Sequence, residues 1–273
     1  MIWRRMMYQS CLNDIRACNY HFKYIRWYVI PEDIIPDFLK KASVVCTMNN
    51  LVDIKDYTKR LTDELKAEFG DRLLYIGLQG SYLRGEATPD SDIDIMLVLD
   101  EIHAADLNIY RRILEELGEY DRACGFVCGK EELLNWFPEE ICHVLHTTSD
   151  IYGKLNEIVP DYNKNDIADY IKMCVGNLYH MLCHRRIHSE LEKNVNKVPL
   201  AKRDVFFILQ NLYYLEENNF ISKKSEVASA VKGIDLQVWE CFSKDITPEN
   251  IDQNLDLLLN WCKDVLKRTS GYK

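Results

Sequence analysis

The chain has 273 residues, enough for one large domain or two modest ones, and its hydrophobic fraction of 47% supplies a packed core and argues against disorder. Its formal net charge of −9 leaves no large basic footprint for DNA or RNA, so nucleic acid is not the expected partner. No apolar run reaches the ~18 residues that a membrane span requires.

Ten cysteines are scattered along the chain and no two are spaced CxxC, which argues against a zinc ribbon. No secretory signal precedes them, and they read as reduced thiols in a cytoplasmic protein. Residues 1–47 differ from the rest, with seven Lys or Arg against four Asp or Glu and no clean amphipathic period. Three readings of this extension stand open: an added helical element, sequence upstream of a natural start at Met48, or a partner-binding arm.

From residue 48 the pattern becomes regular. Asp53 to Phe69 predicts a helix, with Ile54, Leu61, Leu65 and Phe69 near helical spacing and Gly70 as its stop. Leu73 to Leu78 predicts a buried strand. Asp92 to Leu99 alternates and then turns fully apolar, as a strand entering a core does. Asp106 to Leu117 predicts a second helix, and Arg122 to Cys128 a third strand. Glu131 to Trp136 reads as a short helix, and Cys142 to His146 as a fourth strand. The expected first domain is 48–159, a small mixed sheet with helices.

The stretch from Gly80 to Asp100 carries the chemistry. Gly80 permits backbone angles closed to other residues and close approach of a ligand. Ser81 is placed to cap a helix whose N–H groups face a phosphate. Arg84 lies three residues on, within reach of the same anion. Pro89-Asp90-Ser91 is turn chemistry. Asp92 and Asp94 are two apart in a strand, so their carboxylates share one face, and hard divalent ions such as Mg²⁺ favour all-oxygen donors of this kind.

Gly80-Ser81, ten residues, then Asp92-Ile93-Asp94-Ile95 resembles the signature of the DNA polymerase β-like nucleotidyltransferase superfamily. Arg84 and the Ser91-Asp92-Ile93-Asp94 wording are similar to small-molecule enzymes such as aminoglycoside and lincosamide nucleotidyltransferases. Thr148 to Leu155 looks like the strand that closes such a domain. The resemblance implies an α+β fold, with a mixed-sheet transferase domain followed by an all-helical domain. It implies transfer of a nucleoside monophosphate from an NTP, ATP being favoured, to a hydroxyl of a small, antibiotic-type acceptor, with release of pyrophosphate. Asp92 and Asp94 would hold one or two Mg²⁺; Gly80, Ser81, Arg84 and Ser91 would contact the nucleotide. A homodimer is implied by the same resemblance. A protein or RNA acceptor, or a catalytically degenerate, antitoxin-like binding module, are the alternatives.

One departure matters. Many members carry a third carboxylate on the following strand, and Arg122 to Cys128 contains none. Asp121, just before it, is the best substitute; Glu131 and Glu132 follow it, and Lys130 reads as an exposed loop lysine.

The helical domain is expected over 160–273. Ile167, Ile171, Val175, Leu178 and Leu182 form a core stripe. His180, His184 and His188 line a second face, with a first-to-last rise of ~12 Å that is too long for one ion. Ala201 to Leu215 predicts a central helix, and Thr247-Pro248-Glu249 a helix start. Asp166, Asp169 and His180 are candidate bases.

Overall fold

A computed structural model describes residues 51–272. The readings of residues 1–47 and of Met48 lie outside the described residues. The described chain divides into two compact units: 51–129 together with Asp150–Gly153, and Lys130–Ser149 together with everything from Lys154 onward. This division crosses the chain at different points from the 159/160 boundary expected above.

The first unit is built on a four-stranded sheet of order β3-β2-β1-β4: β1 Leu73–Leu78, β2 Ile93–Leu99, β3 Ala123–Gly129 and β4 Ser149–Tyr152. β1 and β2 are antiparallel and β2 and β3 parallel, so the sheet is mixed. Three helices belong to this unit: α1 Ile54–Phe69, the short α2 Gly80–Arg84, and α3 Ala104–Leu117. α1 begins where the Asp53 carboxylate accepts the N–H groups of Lys55 and Asp56 at 3.1 and 3.2 Å.

Alternation along β2 decides which face does what. Ile93, Ile95, Leu97 and Leu99 join Tyr57, Leu61, Leu65 and Phe69 of α1 and Ile113 of α3 in one core. Asp94 has the opposite parity, so its side chain leaves the sheet on the other face. The far end of β2 is fixed by Arg72, which bonds both Asp106 oxygens at 2.9 Å, Asp100 at 3.1 Å and the Glu101 carbonyl at 3.0 Å. One guanidinium thus ties the entry to β1, the exit from β2 and the first turn of α3.

The second unit is helical. It holds α4 Lys130–Leu134, α5 Pro138–His146, α6 Lys164–His188, α7 Leu191–Lys197, α8 Lys202–Glu217, α9 Lys224–Ala230, α10 Gly233–Cys241 and α11 Ile251–Thr269. The predicted α6 stripe is the buried one: Ile167, Ile171, Val175, Leu178 and Leu182 pack with Val205, Phe206 and Leu209 of α8 and Leu255, Leu258 and Trp261 of α11. The architecture is therefore α+β, a mixed-sheet unit and a helical unit.

Two local expectations are corrected. Cys142 to His146 is helix, not a fourth strand. A five-residue apolar run fits either period, and Pro138-Glu139-Glu140 ahead of it is the helix-start signal that decides. The last helix begins at Ile251 rather than at Pro248, because Asn250 Oδ1 accepts the Thr247 N–H at 2.9 Å and closes a turn one step earlier.

A buried polar group in this unit is fully committed. Asp235 Oδ1 accepts the Trp261 indole N–H at 2.7 Å, and both Asp235 oxygens accept Arg268 at 3.0 Å. Asp235→Ala strands the Trp261 N–H and deprives Arg268 of a partner; urea unfolding is expected to show a loss of about 3–5 kcal/mol.

Candidate active site

The site begins at the end of β1. The Gln79 N–H donates to the Asp94 carbonyl at 2.9 Å, extending the β1–β2 ladder by one rung, and Gln79 is buried. The chain then turns at Gly80, where φ is +68°. A Cβ built on Gly80 would lie 1.7 Å from Asp94 Oδ2, so the carboxylate occupies the space a side chain would need. Glycine is required here twice, by the backbone angle and by the contact.

α2 runs only from Gly80 to Arg84. Ser81 is its second residue and does not cap it; Gln79 is the N-cap residue and makes no side-chain cap bond. Instead the Ser81 carbonyl accepts the N–H groups of Gly85 and Glu86, folding the chain back toward β2. Arg84, the last helical residue, bonds Glu86 Oε2 through Nε at 3.0 Å and is itself half-buried. Ser91 closes the following loop: its hydroxyl accepts the Thr88 N–H at 2.9 Å, and its own N–H donates to the Thr88 carbonyl at 3.0 Å.

Asp92 and Asp94 then enter and occupy β2. The Asp94 carboxyl is pushed up to about 6, first by burial and then by the negative charge of Asp92; the Arg84 guanidinium and a hydrogen bond from Cys124 oppose the rise. Asp94 thus carries a charge that its surroundings do not fully neutralise.

Residues not singled out from sequence complete the surroundings. Arg122 donates to the Tyr82 hydroxyl at 2.5 Å, to the Ser91 carbonyl at 3.3 Å and to Glu119 at 3.1 Å. It thereby ties α2, the loop entering β2 and the start of β3. The parallel register sets Cys124 opposite Asp94. Asp121 lies in the one-turn helix Tyr120–Arg122 and is exposed, two residues before the strand level of Ile93. The side chain beside Asp94 on β3 is therefore a thiol. No sequence signal marked Arg122, because an arginine at a strand entry is ordinary; its role depends on three segments that are distant in sequence.

The other candidates lie in the second unit. Glu131, Glu132 and Lys130 open α4 and are exposed. Asp166 accepts the Asn163 N–H at 2.7 Å in a capping box, and Asp169 pairs with Lys172 at 2.9 Å. His180, His184 and His188 are exposed along α6, with neighbouring ring centroids 6.3 and 4.7 Å apart. Among the described residues no three or more His, Cys, Asp or Glu side chains converge as a metal cage.

The family model for a nucleotidyltransferase domain matches residues 58–172. A putative protein adenylyltransferase of Methanocaldococcus jannaschii is 37% identical over 70 residues, which span 26% of this chain and 68% of that protein. The chain belongs to the nucleotidyltransferase family. It is accordingly a transferase of nucleotidyl groups. The protein adenylyltransferase MntA of Thermococcus cleftensis is 44% identical to this nucleotidyltransferase over 55 residues, 20% of this chain and 54% of that protein. Among solved structures, spectinomycin adenyltransferase AAD(9) from Enterococcus faecialis, with ATP and spectinomycin, superimposes with a TM-score of 0.51 at 14% identity. It covers 78% of this chain and 99% of that one. That likeness is one of fold.

Two outcomes follow for the transferase. Gly80→Ala drives a Cβ into Asp94 Oδ2 and strains φ; transfer activity is expected to fall about a hundredfold or more while circular dichroism shows the fold retained, with a stability cost of about 1–3 kcal/mol. Asp94→Asn acts the other way on stability. A carboxyl raised from ~3.9 unfolded to about 6 folded favours folding when protonated, and that advantage is lost as pH rises through 6. The ligand-free Asp94→Asn protein is expected to be more stable than wild type at pH 7, by about 1–2 kcal/mol in urea unfolding. The gap should shrink as pH falls from 6 toward 4.

Proposed function

We propose that the protein transfers AMP from ATP to a hydroxyl of a small-molecule acceptor and releases pyrophosphate. The observation that carries the reading is the packing of Asp94 against a glycine at the end of β1, with Asp92 two residues away on the same strand path. The pair fits Mg²⁺. The donors are all oxygen, the Asp94 carboxyl is raised partly by the neighbouring charge of Asp92, and two carboxylates suffice for an ion that takes its other ligands from substrate phosphates and water.

Asp92 and Asp94 would hold the ion. When bound, it supplies Lewis-acid stabilisation of charge developing on the α-phosphate. The chain's own part is placement. Gly80 leaves Asp94 its position, Arg122 anchors α2 and the Ser91 loop, and Gly80 and Ser81 line the approach for the phosphates. Arg84 bonds Glu86, and its positive charge is felt at Asp94.

The acceptor assignment is supported by extent. The likeness to an adenyltransferase whose structure holds ATP and spectinomycin runs through the helical unit and covers nearly all of that chain. A protein acceptor is the second reading, favoured by the two archaeal relatives named as protein adenylyltransferases. Incubation with ATP labelled at the α-phosphate separates them. A labelled small molecule on thin-layer chromatography, from a panel of hydroxyl-bearing antibiotics including spectinomycin, supports the first. Label only on protein in a denaturing gel overturns it. Asp92→Ala and Asp94→Ala are each expected to lower Mg²⁺-dependent transfer about a thousandfold, and undiminished transfer in either would overturn the metal assignment.

A further inference from the structure

The surroundings of Asp94 are asymmetric in their chemistry and alike in their closeness. On the β1 side, Gly80 has no Cβ and the Asp94 carboxylate fills that space. On the β3 side, Gly125 does the same for backbone: a Cβ there would lie 1.8 Å from the Ile95 carbonyl oxygen. At φ +153° the Gly125 backbone faces the Ile95 carbonyl with no room for a side chain. The residue beside Gly125 is Cys124, in register with Asp94 across a parallel pair, so the two side chains share a face. Cys124 is buried, and from that position it offsets part of the upward push on the Asp94 carboxyl.

We propose that Cys124 is a positioning residue for the transferase reaction, its S–H orienting the Asp94 carboxylate for the divalent cation. The inference rests on the metal-holding role of Asp94 given above. A carboxylate on a strand turns freely about its terminal bond unless something holds it. The close contact with Gly80 confines one side of the carboxylate group, and the thiol supplies the donor on the other. A thiol can do this where a lysine or arginine could not, because it adds no charge that would compete with the cation. It also adds no third negative charge to a pair that already repels.

The test is the affinity of the full chain for Mn²⁺ in the presence of α,β-methylene ATP, read from the electron paramagnetic resonance of free Mn²⁺. Five variants are compared: Cys124→Ser, which keeps a donor; Cys124→Val, which keeps bulk without a donor; Cys124→Ala; Asp94→Asn; and Asp94→Asn combined with Cys124→Val. Cys124→Ser is expected within about twofold of wild type, and Cys124→Val and Cys124→Ala about five- to tenfold weaker. In the Asp94→Asn background, Cys124→Val is expected to add nothing further, as the coupling of a touching pair requires. Thermal melting checks that each variant is folded, and Val covers the case in which Ala is not. Wild-type affinity in Cys124→Val, or equal weakening in Ser and Val, overturns the positioning role. Failure of the wild type to bind Mn²⁺ with nucleotide overturns the metal reading itself, which keeps the two failures distinct.

Discussion

The first unit depends on the seating of one carboxylate. Asp94 projects from a central strand into space that exists only because Gly80 has no side chain. Its own main chain accepts the last β1–β2 ladder bond from Gln79, so the backbone that carries the acid also fixes the turn that makes room for it. A residue larger than glycine would push the turn off the sheet or the carboxylate off its face. The geometry explains in steric terms why a glycine at a strand end and an acid ten or more residues later form one feature.

Around this contact the unit spends its strongest polar interactions at the ends of β2. Arg72 gathers Asp100, Asp106 and the Glu101 carbonyl at one end, and Arg122 gathers Tyr82, Glu119 and the Ser91 carbonyl at the other. Neither arginine needs to touch a substrate to matter. Charge-assisted bonds to several segments hold the strand that bears Asp92 and Asp94 at both ends. The face behind it is sealed by Ile93, Ile95 and Leu97 against α1 and α3, in a core where small shifts are resisted. The result is a pre-positioned carboxylate, Asp94, whose charged form is disfavoured by burial and by the neighbouring Asp92, an arrangement that costs stability.

Much of this was legible from local pattern. β1, β2, β3, α1, α3 and the α6 stripe follow from apolar periodicity, because burial on one face imposes a period of 2 or 3.6. The Cys142–His146 run was not legible in that way, since five apolar-rich residues satisfy both periods and only the proline and glutamates before it break the tie. The cap assigned to Ser81 failed for a related reason. A serine after a glycine at a strand end is a cap only if the helix starts after it, and here the helix starts at Gly80.

The amino-acid sequence by itself carried the resemblance that implied the reaction class, and it set Asp92 and Asp94 two apart after a glycine at a strand end, because these are local statements about backbone angles and side-chain parity. The tertiary structure alone decided what stands beside those acids. Strand register across β2 and β3 set Cys124, and not Asp121, at the level of Asp94. The fold also brought Arg122 onto Tyr82 and Ser91, 40 and 31 residues away in the chain. Register and long-range side-chain contacts are properties of how segments pair, and no window of sequence around any one of these residues contains them.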